Sequence, residues 1–491
     1  MFVDLGLPPG LLRRGTGYQS KGRWLEQNLV RWFEGVMKPI GGWAARTTSA
    51  MTGKCRALIA WRDNTTVRFI AAGTHSKLYA LTQTSVTPSD ITPAGFTAGR
   101  ADATIGAGYG VGPYGGSTYG TPRVDNVSIQ MASMWTLDTD GQDLVGVMSD
   151  DGKLYDWQRN TAVVAAVVSG APTSNAAVVV TPERFVMLLG ANGVTRRAQW
   201  ADQEVRTTWT ATATNQAGDY DIQTQGQLMC GQRLRSSTLI FSDLDAHLAT
   251  YIGLPYVYRF DRVGDSCGIV SRGAVAASDT RAVWMSISGF FIYDGTVTPL
   301  PCEVYEAVFG DINLTQRSKV VAFANSQFSE VWWFYPSSGS TENDKYVHFN
   351  IQEGHWNVGT LTRLAAIDRG VFNNPIMATS DGYLYDHETG ASYDSVTPYA
   401  TSGPLEIGVG DRIAKVREIV PDEETLGQVQ VSFITADSPT GSETTYGPYT
   451  PSAFTEARFA ARQAKMKVSF VTPSGAVWGN PRIDVIAGGR R

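Results

Sequence analysis

The sequence predicts an all-β protein, with a β-propeller-like domain of about six or seven irregular blades with insertions, followed by a small C-terminal β-sandwich-like domain. Three observations predict this fold class. The chain is rich in turn and strand formers, with 51 Gly, 22 Pro, 13 Trp, 20 Tyr and 19 Phe in 491 residues. A strand-and-turn phrase recurs along it, and its last part alternates between apolar and polar residues. Helical proteins rarely contain so many Gly, Pro and aromatic residues.

The recurring phrase is the strongest internal signal. It reads SDDGKLYDW at 149–157 and TSDGYLYDH at 379–387, with looser copies THSKLYAL at 74–81 and ISGFFIYDG at 287–295. In each copy a polar or Gly turn reverses the chain, and apolar and aromatic residues lead into a strand. This pattern is typical of a β-hairpin in which Gly supplies the positive φ. We predict structural roles in these turns for Asp151, Gly152, Tyr155, Asp381, Gly382, Tyr385, Gly289 and Tyr293.

Alternating or wholly apolar segments lie between the copies and predict further strands. Examples are ALIAW at 57–61, RFVMLLG at 184–190 and EVWWFY at 330–335. These segments cover 48–400, which we predict to be the propeller. Since a blade uses roughly 40 to 50 residues, this length predicts six or seven blades. Helical phrasing is scarce, and 303–309 is the best short candidate.

The phrasing changes after the polar stretch SYDSVTPYATSGP at 392–404. Segments such as QVQVSFITA at 428–436 and AKMKVSFV at 464–471 alternate cleanly between apolar and polar residues. A half-buried antiparallel sheet explains that alternation. We therefore predict a separate β-sandwich-like domain at 401–491, and an N-terminal arm with the first strands at 1–47.

The charge balance argues against tight binding to nucleic acid or to an anionic membrane. The 41 Lys and Arg are outnumbered by 46 Asp and Glu, which gives a formal net charge of −5. Such a balance provides no excess of positive charge for binding phosphate groups. No stretch approaches the roughly 20 apolar residues of a membrane span, and the N-terminal MFVDLGLPPGLLRRG lacks the apolar run of a secretion signal. We expect synthesis in a bacterial cytoplasm and no stable nucleic-acid binding.

Metal and cofactor chemistry is not expected. The four cysteines, Cys55, Cys230, Cys267 and Cys302, form no CxxC and no close pair, so we predict buried thiols. His348 and His355 are the only close histidine pair, and a turn could set them on adjacent strands with Glu353 as a third ligand. Their spacing lacks the helical i, i+4 geometry of zinc proteases. We interpret them as strand-end histidines and predict no metal and no cofactor.

Acidic residues in the hairpin phrases raise the alternative of a glycosidase. Asp150, Asp151 and Asp381 could act only if two of them faced one cavity at about 5 to 10 Å. Hydrogen bonding within an Asx turn explains an Asp at these positions better. The phrases also resemble the Asp-boxes of sialidases, except that Asp and Gly are adjacent here. No nucleophile elbow or P-loop occurs in the sequence, and we predict that the protein is not an enzyme.

A long insertion separates two of the predicted blades. The segment IGAGYGVGPYGGSTYGTPR at 105–123 is dominated by Gly and Tyr. It contains a formal GxGxxG at Gly110, Gly112 and Gly115, but no strand enters it and no helix leaves it, so dinucleotide binding is not indicated. We predict a surface loop at a subunit interface or a lumen, with Tyr109, Tyr114 and Tyr119 as its contact residues.

The adjacent tryptophans Trp332 and Trp333 must point to opposite faces of one strand. We predict that they pack between blades or between subunits. Stacking of an exposed ring on a glycan is the functional alternative.

Several phrases resemble tail structural proteins of tailed bacteriophages, in particular the tail hub or nozzle (tail tube) protein of short-tailed, podovirus-type phages. They are KGRWLEQNLVRWFEGVMKPIGGW at 21–43, RRAQWADQEVRTTWTATATNQAGDYDI at 196–222, GGSTYGTPR at 115–123, NDKYVHFNIQEGHWNVGTLTR at 343–363 and WGNPRIDVIAGGRR at 478–491. The resemblance spans nearly the whole chain and rests on aromatic, Gly and Asp positions.

The resemblance implies a structural subunit located in the virion tail. Such a subunit assembles as a homo-hexamer below the portal and head-to-tail adaptor ring and contacts tail fibres or spikes. Its ring contacts double-stranded DNA transiently, when the genome is ejected. A glycan-binding or glycan-degrading β-propeller of the tail is the alternative, which the Asp-bearing hairpins keep open.

Overall fold

A computed structural model describes residues 1–105, 129–278, 280–408, 412–436, 438 and 441–489. Its regular structure is almost entirely antiparallel sheet. Within the described residues the helical elements are one α-helix, α1 (Tyr305–Phe309), and three 3₁₀ turns at Gly17–Ser20, Ala191–Gly193 and Leu314–Lys319. None of these helices is long and apolar enough to cross a bilayer. Helix α1 falls within the predicted segment at 303–309.

The N-terminal segment contributes five strands: β1 (Phe2–Asp4), β2 (Trp24–Asn28), β3 (Val30–Phe33), β4 (Val36–Pro39) and β5 (Trp43–Ala45). Strands β3 and β4 form a hairpin of their own. The other three strands pair with strands that lie hundreds of residues away.

Six four-stranded antiparallel blades follow along the chain. Blade 1 is β6 (Cys55–Arg62), β7 (Arg68–Thr74), β8 (Leu78–Thr82) and β9 (Ser89–Asp90); β10 (Thr104–Ile105) and β11 (Ile129–Gln130) flank the insertion. Blade 2 is β12 (Trp135–Asp140), β13 (Asp143–Met148), β14 (Leu154–Trp157) and β15 (Ala166–Val167). Blade 3 is β16 (Ala177–Val180), β17 (Val186–Leu189), β18 (Arg197–Trp200) and β19 (Gly218–Asp221).

Blade 4 is β20 (Leu228–Arg233), β21 (Thr238–Ser242), β22 (Ala246–Gly253) and β23 (Val257–Gly264). Blade 5 is β24 (Val275–Ala277), β25 (Ala282–Met285), β26 (Phe290–Tyr293) and β27 (Val297–Leu300). Blade 6 is β28 (Val321–Asn325), β29 (Glu330–Tyr335), β30 (Lys345–Asn350) and β31 (Trp356–Thr360). A seventh blade begins with β32 (Ala365–Ile367), β33 (Ile376–Ala378) and β34 (Leu384–His387).

The innermost strands of the seven blades surround one axis. They pack in the order β6, β12, β16, β20, β24, β28, β32 and back to β6. Strands of a blade lie between two neighbouring blades and are covered on both faces. This explains why β16 reads AVVV and β29, the second strand of blade 6, reads EVWWFY with every residue buried. The chain is therefore a seven-bladed β-propeller, in agreement with the predicted fold class.

The seventh blade takes its outer strand from the N-terminal segment. Trp43 of β5 pairs with His387 of β34, and Ala45 pairs with Tyr385. The first and last blades of a propeller must be joined, and a shared blade joins them through backbone hydrogen bonds. The Trp43 ring also stacks on the His387 ring at 5.3 Å between centroids.

The second domain is a β-sandwich, as predicted, but both ends of the chain build it. One sheet has the order β1, β42 (Arg482–Ala487), β37 (Ala414–Val420) and β40 (Thr455–Ala461). The other sheet has the order β2, β35 (Tyr399–Ser402), β41 (Gln463–Phe470), β38 (Val429–Ala436) and β39 (Thr444–Tyr449), with β36 (Leu405–Glu406) beside β41. Burial in β38 alternates residue by residue, as a half-buried sheet requires.

The N-terminal segment is where the structure departs from the predicted division at 1–47, 48–400 and 401–491. Residues 1–47 are not a separate arm, because β5 belongs to the propeller and β1 and β2 belong to the sandwich. Each of these strands covers an edge that would otherwise expose unpaired backbone groups. The blade strands that follow begin at Cys55 and end at His387.

A buried ion-pair cluster fastens the β3–β4 hairpin to blades 6 and 7. The Arg31 guanidinium donates from Nε and Nη2 to the two Glu330 oxygens, at 3.0 Å each. It also donates from Nη1 to Glu388 Oε2 at 2.9 Å. Arg31 is 2% exposed, and its guanidinium lies over the Phe328 ring at 3.7 Å. Burial raises the pKa of the Glu330 carboxyl, and the charge of Arg31 opposes that rise.

Candidate functional site

The recurring hairpins all lie at one end of the propeller. In blades 1, 2, 5 and 7 the phrase forms the turn between the second and third strands. Since the inner strands run side by side in one direction, these turns share the end at which the inner strands begin. We call this end the upper face. It is the natural place to look for a functional site, because loops presented by a rigid scaffold carry most binding and catalytic groups.

In blade 2 the hairpin forms a closed hydrogen-bond network. The Tyr155 hydroxyl donates to Asp151 Oδ2, and Lys153 Nζ donates to Asp151 Oδ1 at 3.0 Å. The Asp151 side chain is only 2% exposed. Burial and the bond to Asp151 raise the pKa of Tyr155, so its hydroxyl stays protonated. Asp151 therefore holds its own turn together and has little access to solvent.

Gly152 and Gly382 occupy equivalent positions and join neighbouring blades. The Gly152 carbonyl accepts from the backbone N–H of Asn175, which precedes the inner strand of blade 3. The Gly382 carbonyl likewise accepts from the N–H of Met51, which precedes the inner strand of blade 1. Both glycines have positive φ, 67° and 88°. The turn thus needs Gly both for its backbone conformation and for the close approach of the next blade.

We expect Gly382→Ala to destabilise the protein by roughly 2 kcal/mol or more, since the backbone there is left-handed and a new methyl group would meet a fixed backbone atom. A Cβ at this position would lie 2.5 Å from the Met51 carbonyl oxygen. Urea denaturation followed by tryptophan fluorescence measures the change. Gly339→Ala, in the corresponding turn of blade 6, is the control, because a Cβ there has no heavy atom within 4 Å. Equal midpoints for the two variants would contradict this account of the turn.

The other residues predicted in these turns have different environments. Asp381 is exposed and accepts from the Ser380 hydroxyl at 3.0 Å. Tyr385 lies in β34, with the Arg363 guanidinium 5.8 Å from its ring. Gly289 lies at the β25–β26 turn with open space around it. Tyr293 is buried at the end of β26, and the strand register aligns Phe291, not Tyr293, with Tyr155.

The acidic residues of the hairpins accept hydrogen bonds from different parts of the chain. Asp150 accepts from the Ser133 hydroxyl and from Arg100 Nη2, the latter at 2.8 Å. Asp151 is held within its turn, and Asp381 lies in blade 7, with blade 1 between the two hairpins. Their oxygens are bonded to this chain's own donors.

The histidine pair lies at the opposite end of blade 6. His348 is fully buried, stacks on Trp332 at 4.3 Å, and has no hydrogen-bond partner for either ring nitrogen. His355 is also buried, with Nδ1 3.6 Å from Glu353. Among the described residues no group of three or more His, Cys, Asp or Glu side chains could hold a metal ion. Burial lowers the pKa of His348 and His387 well below the usual value.

We expect stability to fall as the pH drops below about 6.5, the usual His pKa. His348 and His387 stay neutral in the folded state and become protonated in the unfolded state, so acid favours unfolding by up to about 1.4 kcal/mol per pH unit for each. Urea midpoints measured between pH 8 and pH 5 test this. His348→Phe should reduce the slope, because the ring keeps its stacking and loses its titration. The charged and titratable groups that face His348 are Arg31, Glu330 and His355. An unchanged dependence of stability on pH in the variant would contradict the role given to His348.

The propeller axis contains a cavity of about 640 Å³ that all seven inner strands line. A network of charged side chains extends from Arg56, which lines the cavity at the start of β6. Both Arg56 Nη groups donate to Glu342 at 2.7 Å, and Nη2 also donates to the Ala101 carbonyl. Lys319, fully buried, pairs with Asp102 and with Glu342. Although burial opposes it, the hydrogen bonds from Arg56 lower the pKa of Glu342 below its usual value.

This network anchors the base of the Gly/Tyr insertion. The Ala103 N–H donates to Gln316 Oε1 at 2.9 Å, and Gln316 Nε2 donates back to the Ala103 carbonyl at 3.1 Å. Segment 101–103, which leads to the insertion, is therefore bonded to the loop before blade 6. Tyr109, Tyr114 and Tyr119 lie outside the described residues, and their role stays a prediction.

The remaining predicted residues are structural. All four cysteines are buried and free. Trp332 and Trp333 are both buried, and they pack in different hydrophobic clusters on the two faces of β29. The Arg31 and Arg56 clusters have no signal in the sequence, since Arg56 and Glu342 are 286 residues apart.

Comparison with known proteins finds only solved structures of low similarity among the matches described below. No family model matches the chain, and no curated protein matches its sequence. Among solved structures, the chain is similar to streptogramin B lyase, at 9% identity over 70% of this chain and 97% of that one, with a TM-score of 0.42. It is similar to the Neurospora crassa Pan2 WD40 domain at 8% identity, over 72% of this chain and 97% of that one, with a TM-score of 0.39.

A third similar structure is YCF48 bound to D1 peptide, at 9% identity over 72% of this chain and 98% of that one, with a TM-score of 0.37. Identities and scores this low carry no inference about activity, ligand or partner.

Proposed function

We propose that this protein is a structural subunit of a phage tail, the hub or nozzle of a short-tailed phage, and that it is not an enzyme. The observation that carries the proposal is the series of phrases along nearly the whole chain that resemble this family. The upper face supports it, because Asp150, Asp151 and Glu342 are engaged in bonds that hold the chain itself together. A scaffold whose acidic side chains are bonded within the chain suits permanent assembly with other subunits better than catalytic turnover of a substrate.

Two exposed apolar regions are suited to subunit contacts. The β22–β23 turn of blade 4 exposes Leu254 by 64% and Tyr256 by 75%. The outer edge of blade 2 exposes Val163, Val164 and Val167, each by about half. Large exposed apolar side chains grouped in this way are typical of interaction surfaces. In the proposed assembly such surfaces contact neighbouring copies in a homo-hexamer, the adaptor and portal ring, or the tail fibres or spikes.

The genome would pass between subunits rather than along the axis of one propeller. The axial cavity of about 640 Å³ has the size of a small-ligand pocket. A duplex whose major groove alone is about 12 Å wide does not fit there. The proposed conduit is therefore the central space of the ring, with transient contact to double-stranded DNA.

Cryo-electron microscopy of the virion that carries this protein tests the proposal. The expected result is a ring of seven-bladed propellers around the tail axis, below the adaptor ring. Propeller density at the tips of peripheral fibres would instead favour the glycan-binding alternative. Absence of the chain from purified particles would remove the structural role altogether.

A further inference from the structure

The axial cavity contains one arginine that lacks a charged partner. Arg272 precedes β24 of blade 5, lines the cavity and is partly buried. Its Nε donates to the Ala176 carbonyl at 3.1 Å, which ties blade 5 to the start of blade 3. This bond fixes the guanidinium at the cavity wall and leaves both Nη groups without an acceptor among the described residues.

Among the described residues no Asp or Glu forms an ion pair with Arg272. The charge of Asp150 does raise the pKa of Arg272, but Asp150 is itself paired with Arg100. The Cys230 side chain is near enough for Arg272 to act on it, but burial raises the pKa of that thiol to about 12. Cys230 is therefore a neutral thiol at physiological pH. Burial correspondingly lowers the pKa of Arg272, although a guanidinium stays charged near neutral pH.

Arg56 and Arg233, two of the other arginines that line the cavity, show the contrast. Arg56 is neutralised by a two-point contact with Glu342. Arg233 is 44% exposed and lies 3.6 Å from Asp138, near the lower end of the inner strands. Arg272 differs from both because it faces the cavity with no carboxylate bonded to its guanidinium. Its Nη donors are therefore open to an anion that enters the cavity.

We propose that the axial cavity is a binding site for a small oxyanion, held by the two Nη groups of Arg272. A guanidinium presents parallel N–H donors that match two oxygens of a phosphate, sulfate or carboxylate. The cavity, at about 640 Å³, has room for such an ion together with ordered water. This site does not depend on the proposed role in the tail.

Isothermal titration calorimetry of the full chain with inorganic phosphate, sulfate and malonate tests the site. We expect saturable binding of at least one of these ions to one site. The relative affinities for the two tetrahedral ions and for malonate then show which oxyanion geometry the cavity favours. Arg272→Gln should weaken binding at least about tenfold, since it removes the charge and both free donors. Arg233→Gln should stay within about twofold of the wild type, and is the matched control for loss of one cavity arginine.

A second variant separates loss of the site from loss of the fold. Cys230→Asp places a carboxylate near Arg272, and should compete with the added ion and weaken binding at least about tenfold while Arg272 is retained. Circular dichroism and size-exclusion chromatography establish that each variant is folded. The proposal is overturned if the wild type binds none of the three ions saturably, or if folded Arg272→Gln and Cys230→Asp bind as the wild type does.

Discussion

A chain that lacks residues 1–47 should not reach the native fold. This segment supplies β5, the outer strand of blade 7, and also β1 and β2, which lie in the two sheets of the sandwich. It also supplies Arg31, whose loss leaves Glu330 buried without its cation. Each loss alone costs several kcal/mol, and a natural domain has only about 5–15 kcal/mol of stability in total. We expect an aggregating or partly folded product.

Removal of residues 1–6 is the control for truncation itself. This shorter deletion takes away β1, a three-residue edge strand, and keeps the propeller closed. Near-ultraviolet circular dichroism and limited proteolysis distinguish a native core from a collapsed one. A monodisperse, protease-resistant product of the longer deletion would show that blade 7 closes without β5, contrary to this account.

Arg31→Met should destabilise the protein by about 3–5 kcal/mol, the range for breaking a buried ion pair by removing one partner. Glu330 is 1% exposed, and its remaining side-chain hydrogen bond comes from Trp332 Nε1, at 2.8 Å. The variant must therefore bury an unpaired carboxylate or protonate it. Because burial already raises the pKa of Glu330, the loss should be smaller at pH 5 than at pH 8.

The matched control is Arg184→Met. Arg184 pairs with Glu204 at 2.8 Å, but both side chains are more than half exposed. Exposed pairs contribute about 0–1 kcal/mol, so this variant should unfold close to the wild type. Chemical denaturation measures both variants at the two pH values. Equal costs for the two substitutions would mean that the Arg31 cluster does not stabilise the junction.

The sequence predicted those parts of the fold that depend on local patterns. The phrase around Asp151 is visible because its partners, Lys153 and Tyr155, lie within four residues of it. The alternation in β38 and β41 likewise records which face of each strand is buried. Strand periodicity and turn chemistry are short-range signals, and they predicted a propeller with hairpins followed by a sandwich.

Contacts between distant residues left no such signal. The partner of Trp43 is His387, and nothing near either residue reveals that pairing. The offset of Tyr293 from Tyr155 depends on strand register, which a one-residue change in a turn shifts. The axial cavity and its unpaired Arg272 exist only once seven blades close into a ring. Most of the candidate site could therefore not be predicted from the sequence.

The central claim is that this chain is one of several identical subunits around a tail axis, and native mass spectrometry of tails released from virions tests it most directly. Closed rings of identical subunits are built by one repeated heterologous contact, so every tail should contain the same whole number of copies. We predict six copies in each tail, together with adaptor and portal subunits. A single copy per tail would contradict the account.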